Sequence, residues 1–331
     1  MNKNFLVFSF ILAITASSMS ASFSVEVKKT YEKSFAMPAG GQVTVQGDEG
    51  FIKVNSWDRP EVHLIWTKRV WARNNQQAEE LLELVEVRIN QAENNLQVKV
   101  VEPRYHRDFN FWDLFDPDTW GGSRYRSPVV DFALTVPHEI NVDLANDEGD
   151  VSLKSIEGDV AIDVDEGDID IADISFNDLD LSADEGHIRG SNLKSERGTI
   201  RITIDEGKVD LEEIKTSRLR LEGDESDVTF KNFQCGSCNI SADEGEIEID
   251  VLLQEDSRYD LATDEGDILL YLPDQPNVRF NLESQDGGIH AEFALKISKR
   301  DEVFQCRDSL GSGSSLIKAF ADEGVISIKK R

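Results

Sequence analysis

The sequence predicts an all-β protein: a parallel β-solenoid, or β-helix-like stack, of coils about 19–21 residues long, with one short helix near the N-terminus. Three observations carry this. A D-E-G motif recurs, as "VDEGDIDI" from Val164, "ADEGHIRG" from Ala183, "IDEGKVDL" from Ile204, "ADEGEIEID" from Ala242, "TDEGDILL" from Thr263 and "ADEGVISI" from Ala321. The residues closing each copy, Gly149, Gly167, Gly186, Gly207, Ser226, Gly245, Gly266 and Gly287, fall 18 to 21 positions apart. Between them, runs such as Ile169-Asp170-Ile171 and Leu179-Asp180-Leu181 alternate apolar with acidic, the period of a strand with one buried face. A βαβ sheet would need helical segments of about 10–15 residues, and this stretch has no helical spacing. One coil cannot bury its own apolar face, so stacking is what stabilises it.

In chain order, "MNKNFLVFSFILAITASSMSA" places Lys3 before the apolar run Phe5–Ala16 and small residues to Ala21. That is the layout of a signal peptide, assigned to 1–21, and predicts an extracytoplasmic protein, periplasmic or secreted. The run is short of the ~20 residues that cross a bilayer, and no transmembrane segment is expected in the mature chain. Residues 22–103 hold a first motif copy, "GGQVTVQGDEGFIKVNSW", the strand-like "EVHLIWTKRVWA" and "NNLQVKVVEP", and a helix at about 75–86. In that helix Ala78, Leu81, Leu82 and Val85 form one stripe, Asn74 or Asn75 is the cap, and the stripe is expected to cover an end or edge of the sheet. Residues 104–127 break the pattern with Tyr105, Phe109, Phe111, Trp112, Phe115, Trp120 and Tyr125 in a loop-like insertion. An exposed aromatic cluster would be a partner contact; the competing reading is a plug for the solenoid's open end. Residues 128–331 are the repeat solenoid, in which each D-E-G corner sits above the previous one. Gly supplies positive φ there, and the preceding Asp is expected to cap the turn's free N–H groups.

Composition narrows the partners. The chain holds 35 basic and 64 acidic residues, a net charge of −29. Nucleic acid is excluded, because phosphate binding needs clustered Lys and Arg; divalent cations or basic partners suit the field better. The plainer reading is that acidity keeps an exported repeat protein soluble. "CGSC", Cys235–Cys238, has redox C-x-x-C spacing but lies between strand-like runs, with Cys238 in phase with Ile240 and Ala242. Buried structural cysteines, or an incidental disulfide, fit better than a reactive thiol, which needs a helix N-terminus.

Taken together, "GGQVTVQGDEGFIKVNSW", "AEELLELV", "VDFALTVP" at 130–137, the "DEGDI" ladder and "GSGSSLIKAFADEGVISIKK" resemble the bacterial candidate-adhesin domains of unknown function, a β-strand repeat family. The resemblance covers nearly all of the mature chain. It implies a β-solenoid or stacked-sheet fold and export, and it brings no catalytic residues.

Stacked corners would repeat carboxylates about every 4.8 Å, where a bare pair repels by about 0.8 kcal/mol in water and several times more near a protein surface. Turn capping, splaying of the corners or bridging cations would relieve this. The candidate cation ligands are Asp165, Glu166, Asp184, Glu185, Asp205, Glu206, Asp243, Glu244, Asp264 and Glu265, with Ca²⁺ the ion such oxygens suit. The doubled-Gly nonapeptide of calcium solenoids is missing, so capping is the default. Paired acids could also cleave polysaccharides, but they are too abundant for any pair to stand out, and the five His are scattered. The expected function is non-catalytic: a structural or adhesive role through an acidic repeat face and the aromatic loop, toward an unidentified protein or glycan. A Ca²⁺-binding solenoid is the alternative, and a polysaccharide-active enzyme the less favoured one.

Overall fold

The computed structural model describes residues 25–101 and 127–331, in two compact units that divide after Asp150. Residues 1–21, expected to be a signal peptide, and the seven aromatics of 104–127 lie outside the described residues.

The first unit contains β1 (Val25–Ala36), β2 (Gly41–Gln46), β3 (Ile52–Trp57), β4 (Glu61–Ala72), α1 (Asn75–Leu84), β5 (Glu86–Ala92), β6 (Asn95–Val101), β7 (Val129–Pro137) and β8 (Ile140–Glu148). Strand β2 lies between β6 and β8, parallel to both, and β5 adds to β6 antiparallel. On the other side β3 runs parallel to β7, and β4 and then β1 follow antiparallel. Alternation decides what is buried: Val43 and Val45, Leu96 and Val98, Val142 and Leu144, Ile52 and Val54 all point inward with at most 2% exposure. Helix α1 starts as its sequence predicts, with Asn74 Oδ1 accepting the Gln77 N–H at 2.9 Å. Ala78, Leu81 and Leu82 pack on Val70 and Ala72, so the helix covers the β1–β4 edge. Its last turn has no basic residue of its own. Lys68 of β4 fills that role, its Nζ donating to the carbonyls of Leu82 and Val85.

The second unit runs from β9 (Val151–Glu157), β10 (Val160–Glu166), β11 (Ile169–Ser175) and β12 (Asp178–Lys194) into β13 (Thr199–Glu244), which bends through successive rungs without a break. Then come β14 (Ile247–Val251), β15 (Arg258–Glu265), β16 (Ile268–Leu272), β17 (Val278–Ser284), β18 (Gly288–Ala291), β19 (Ile297–Arg300), β20 (Val303–Leu310), β21 (Ser315–Glu323) and β22 (Val325–Lys330). The rungs are parallel and in register. Val151 aligns with Ile169, Ile169 with Ile188 and Ile188 with Val209, and Val228 with Ile247 and Ile247 with Ile268. All seven are fully buried. This is the β-solenoid-like stack the repeat predicts.

Two features depart from simple alternation. The first five rungs of one row in this unit turn at a non-glycine residue in the left-handed region: Ser155, Asp173, Asn192, Glu213 and Asn232, with φ between 51° and 60°. That residue adds one position, so Ile156, Ile174, Leu193, Ile214 and Phe233 turn inward where strict alternation would point them out. The order of the rungs also differs from the sequence at one end. The C-terminal strands insert: β21 pairs with both β15 and β17, and β22 with both β16 and β18, all parallel. The Gly324 corner thus lies between those of Gly266 and Gly287, correcting the expectation that Gly287 follows Gly266. The displaced rung is closed on its far side by β20 and then β19, both antiparallel. Strand β19 is exposed along its whole length and carries Lys299 and Arg300, charges that discourage a further strand from pairing there.

Candidate functional site

The corners are built by glycine. Gly167, Gly186, Gly207, Gly245 and Gly266 have φ between 135° and 156°, a region open essentially to glycine alone. A Cβ on Gly186 would overlap the carbonyl oxygen of Gly167, one on Gly207 that of Gly186, and one on Gly266 that of Gly245, each inside the 3.0 Å that real Cβ atoms keep. The Gly N–H binds across to the next corner, from Gly167 to Glu185 O at 2.9 Å and from Gly245 to Glu265 O at 2.9 Å. Ser226 is the exception. Its side chain is buried, and Gly223, at the position that is Ala or Ile in neighbouring corners, leaves the room it occupies.

The acid column is stacked but does not converge. Asp165, Glu166, Asp184, Glu185, Asp205, Glu206, Asp243, Glu244, Asp264 and Glu265 are all exposed, and among the described residues no three His, Cys, Asp or Glu side chains are grouped to hold a metal ion. The capping expectation also needs correction. Asp165, Asp184, Asp205, Asp243 and Asp264 make no side-chain hydrogen bond with another described residue, whereas the Asp after the glycine does. Asp168 accepts the His187 N–H at 3.0 Å, Asp227 that of Glu246 at 3.1 Å and Asp267 that of Val325 at 2.8 Å. The reason is geometric: an extended D-E pair projects into solvent, while the residue after the glycine stands beside the next rung's first amide.

Cross-rung cations relieve part of the charge. Arg189 Nη1 lies 2.9 Å from Asp168 and 3.3 Å from Asp170, Arg201 2.7 Å from Asp180, and Lys208 2.8 Å from Asp227. Each is exposed and contributes at most about 1 kcal/mol. The consequences for titration oppose one another. Burial, then the charges of Asp165 and Asp205, pushes the Asp184 carboxyl up. Lys208, then the Glu246 N–H, holds Asp227 down. At Asp168 burial works upward and is outweighed by Arg189 and the His187 N–H. A raised carboxyl favours the fold as pH falls through its folded pKa; a lowered one stabilises above its unfolded pKa and is lost as pH falls through the folded value. The melting temperature is therefore expected to hold or rise from pH 7 to about 5 and to fall below about pH 3.5. Asp184→Asn should raise it at pH 7 and leave it unchanged at pH 3. A pH series of thermal melts reads both. Screening should act likewise: NaCl is expected to raise the melting temperature, and CaCl₂ at equal ionic strength to raise it no further. A larger, chelator-reversible rise with Ca²⁺ would restore the cation reading.

Cys235, Cys238 and Cys306 are buried free thiols. Burial, then the neighbouring Cys235, pushes the Cys238 thiol up, the opposite of a reactive thiolate. Phe230, Phe233 and Tyr259 pack near Cys235 and Cys238, with centroids 5.0 and 6.2 Å apart, and the Tyr259 hydroxyl donates to Cys235 O at 3.2 Å. This is core.

The sequence reading missed two surfaces. In the first unit Tyr31 and Trp66 stack 5.2 Å apart, with the Lys29 and Lys68 ammonium groups 5.5 and 5.4 Å from the Tyr31 ring. Burial, and then Lys29, lowers the Lys68 pKa. In the second unit a cleft of about 630 Å³ crosses the outward face of β9, β11, β12 and β13. Its floor is shallow because the outward positions there are small: Ser152, Ala172 and Ser191. The signal was present as short side chains at outward positions, but Ala172 and Ser191 stand in one column between Lys154 and Glu212, with Ser152 in the neighbouring column, only once the rungs are aligned.

Among the described residues no helix is long and apolar enough to cross a membrane. The chain is similar to crystal structures of a candidate adhesin from Bacteroides fragilis (12% identity over 92% of this chain and 97% of that one, TM-score 0.40) and a candidate lipid-binding protein from Parabacteroides distasonis (12%, 90% and 96%, 0.41). It is also similar to a candidate adhesin from Parabacteroides distasonis (11%, 91% and 97%, 0.38). No curated protein matches it. The model of the family described as Toastrack DUF4097 matches residues 16–329, nearly the whole chain, and the protein belongs to that family.

Proposed function

We propose that the protein is an exported, non-catalytic interaction scaffold, acting at the cell surface or in the periplasm by holding a protein or glycan partner against its outward side-chain columns. One observation carries this reading: successive rungs align residue for residue, so each outward position becomes a rigid column, as in Asp170–Arg189–Asp210. Such a surface suits recognition of an extended partner. Its carboxylates recur rung after rung, whereas acid–base catalysis needs two groups set apart by their surroundings. Export is supported by the Lys3, Phe5–Ala16 and small-residue pattern at the N-terminus. The aromatics of 104–127 are proposed as a second contact.

The test uses beads coated with the mature chain, scored for retention on whole bacteria and envelope fractions against an equally acidic control protein. Retention above the control, reduced by deleting 104–127, is the expected result. Retention no better than the control, or release of reducing sugar from any polysaccharide, would overturn the reading.

A further inference from the structure

The cleft on the second unit differs from the surface around it in charge. Residues 151–331 hold 42 acidic against 20 basic side chains, yet the cleft lining is balanced, with Lys154, Arg189 and Lys231 facing Asp170, Asp210 and Glu212. Arg189 is engaged with Asp168 and Asp170. The side chains of Lys154, Lys231 and Glu212 have no ion pair or hydrogen bond with another described residue. Free donors and a free acceptor therefore point into one groove whose floor is Ser152, Ala172 and Ser191, with Thr229 at the far end. From Lys154 to Lys231 the groove crosses four rung spacings, about 19 Å.

We infer that this groove binds a linear neutral glycan lying along the stack, across the strands. The inference rests on the interaction-scaffold reading and names its partner class. Three arguments select the ligand. A polyanion entering the groove meets the field of a strongly acidic unit, and a polycation finds stronger attraction at the D-E-G corners, so the balanced patch favours an uncharged partner. A polyhydroxyl chain can donate to Glu212 and Asp210 while accepting from Lys154 and Lys231, satisfying both kinds of group without net charge. The rung spacing is close to the length of one sugar unit in an extended chain, so successive rungs can meet successive residues. With no aromatic wall and an open mouth, affinity is expected in the micromolar to millimolar range, roughly the weak end of specific binding.

The test is an array of neutral tetra- to hexasaccharides probed with the full mature chain, followed by calorimetry on the strongest hit, with spermine and heparin as charged competitors. Expected are saturable binding to at least one neutral glycan, at least tenfold weaker binding for Ser191→Trp and for Glu212→Ala, and little competition by either charged polymer. Ser191 and Glu212 face solvent, so both variants should keep the parent melting temperature, and Glu212→Ala serves if the tryptophan perturbs the fold. Absence of any neutral glycan from the array, unchanged binding in both variants, or displacement by heparin would overturn the inference. Bead retention that survives Ser191→Trp while the array stays blank would remove this ligand and leave the scaffold reading intact. Loss of bead retention by the unsubstituted protein would remove the scaffold reading itself.

Discussion

Gly207→Ala is expected to destabilise the second unit by about 3–5 kcal/mol, the range reserved for substitutions that break a special backbone conformation and create a core-level clash at once. Two terms add. Gly207 sits at φ +145°, where an L side chain is strained by about 1–3 kcal/mol. Its added Cβ would also overlap the Gly186 carbonyl oxygen, which is backbone and cannot rotate away. The only relief is to separate the two corners, and that pulls apart Leu181 and Ile202 behind them, an aligned and buried pair. Gly40→Ala is the control. Gly40 also has positive φ, at +74°, but nothing lies within 4 Å of its would-be Cβ, so only strain of about 1 kcal/mol is expected. Urea midpoints of the two variants decide the matter, with hydrogen exchange at residues 184–208 locating the loss. Equal midpoints would mean that the corners do not stack as closely as the carbonyl contact requires.

That contact explains what the sequence made legible and what it hid. The D-E-G repeat and the two-residue alternation are local signals, and both survive: Ile169, Ile188 and Val209 align because their spacing from the corner glycine is constant. Strand order at the C-terminal end is not local. "ADEGVISI" has a full corner and can pair on both sides, as β21 does between β15 and β17, whereas the Gly287 rung is suited to lie outermost under antiparallel β20. Sequence spacing alone could not rank those two. The left-handed residues were hidden for another reason. In "KSI", "ADI", "SNL", "EEI" and "KNF" the inserted residue is polar where strict alternation would point inward, so it reads as the end of a strand, while only its φ marks the extra position. Of the candidate site, the acid column was plain in the sequence. The cleft was not, because its floor joins Ala172 and Ser191 of one column with Ser152 of the next, and only registration brings those columns together.

Compensation between rungs offers a sharper test than any single substitution. The first corner pairs Gly47 with Asn146, where the repeat elsewhere places Val164, Ala183 or Ile204. Asn146 is 3% exposed and donates from Nδ2 to Gly50 O at 2.8 Å and to Gly149 O at 2.9 Å, tying two successive corners together. Gly47 makes this possible, since a Cβ there would overlap Asn146 Oδ1 and press on its Cγ at 3.1 Å. Gly47→Ala is therefore expected to expel the amide and lose about 2–3 kcal/mol, the cost of leaving hydrogen-bonded groups unpaired in a buried site. Asn146→Ala should lose a similar amount for the same two bonds. In the double variant the alanine at 47 has no amide to displace, so its cost largely disappears and the total falls well below the sum of the two singles. A coupling of about 1.5 kcal/mol or more is expected, as for residues in direct contact. Additive losses across the cycle would show that Gly47 is glycine for its own backbone and not for its neighbour, and that each corner is built independently of the next.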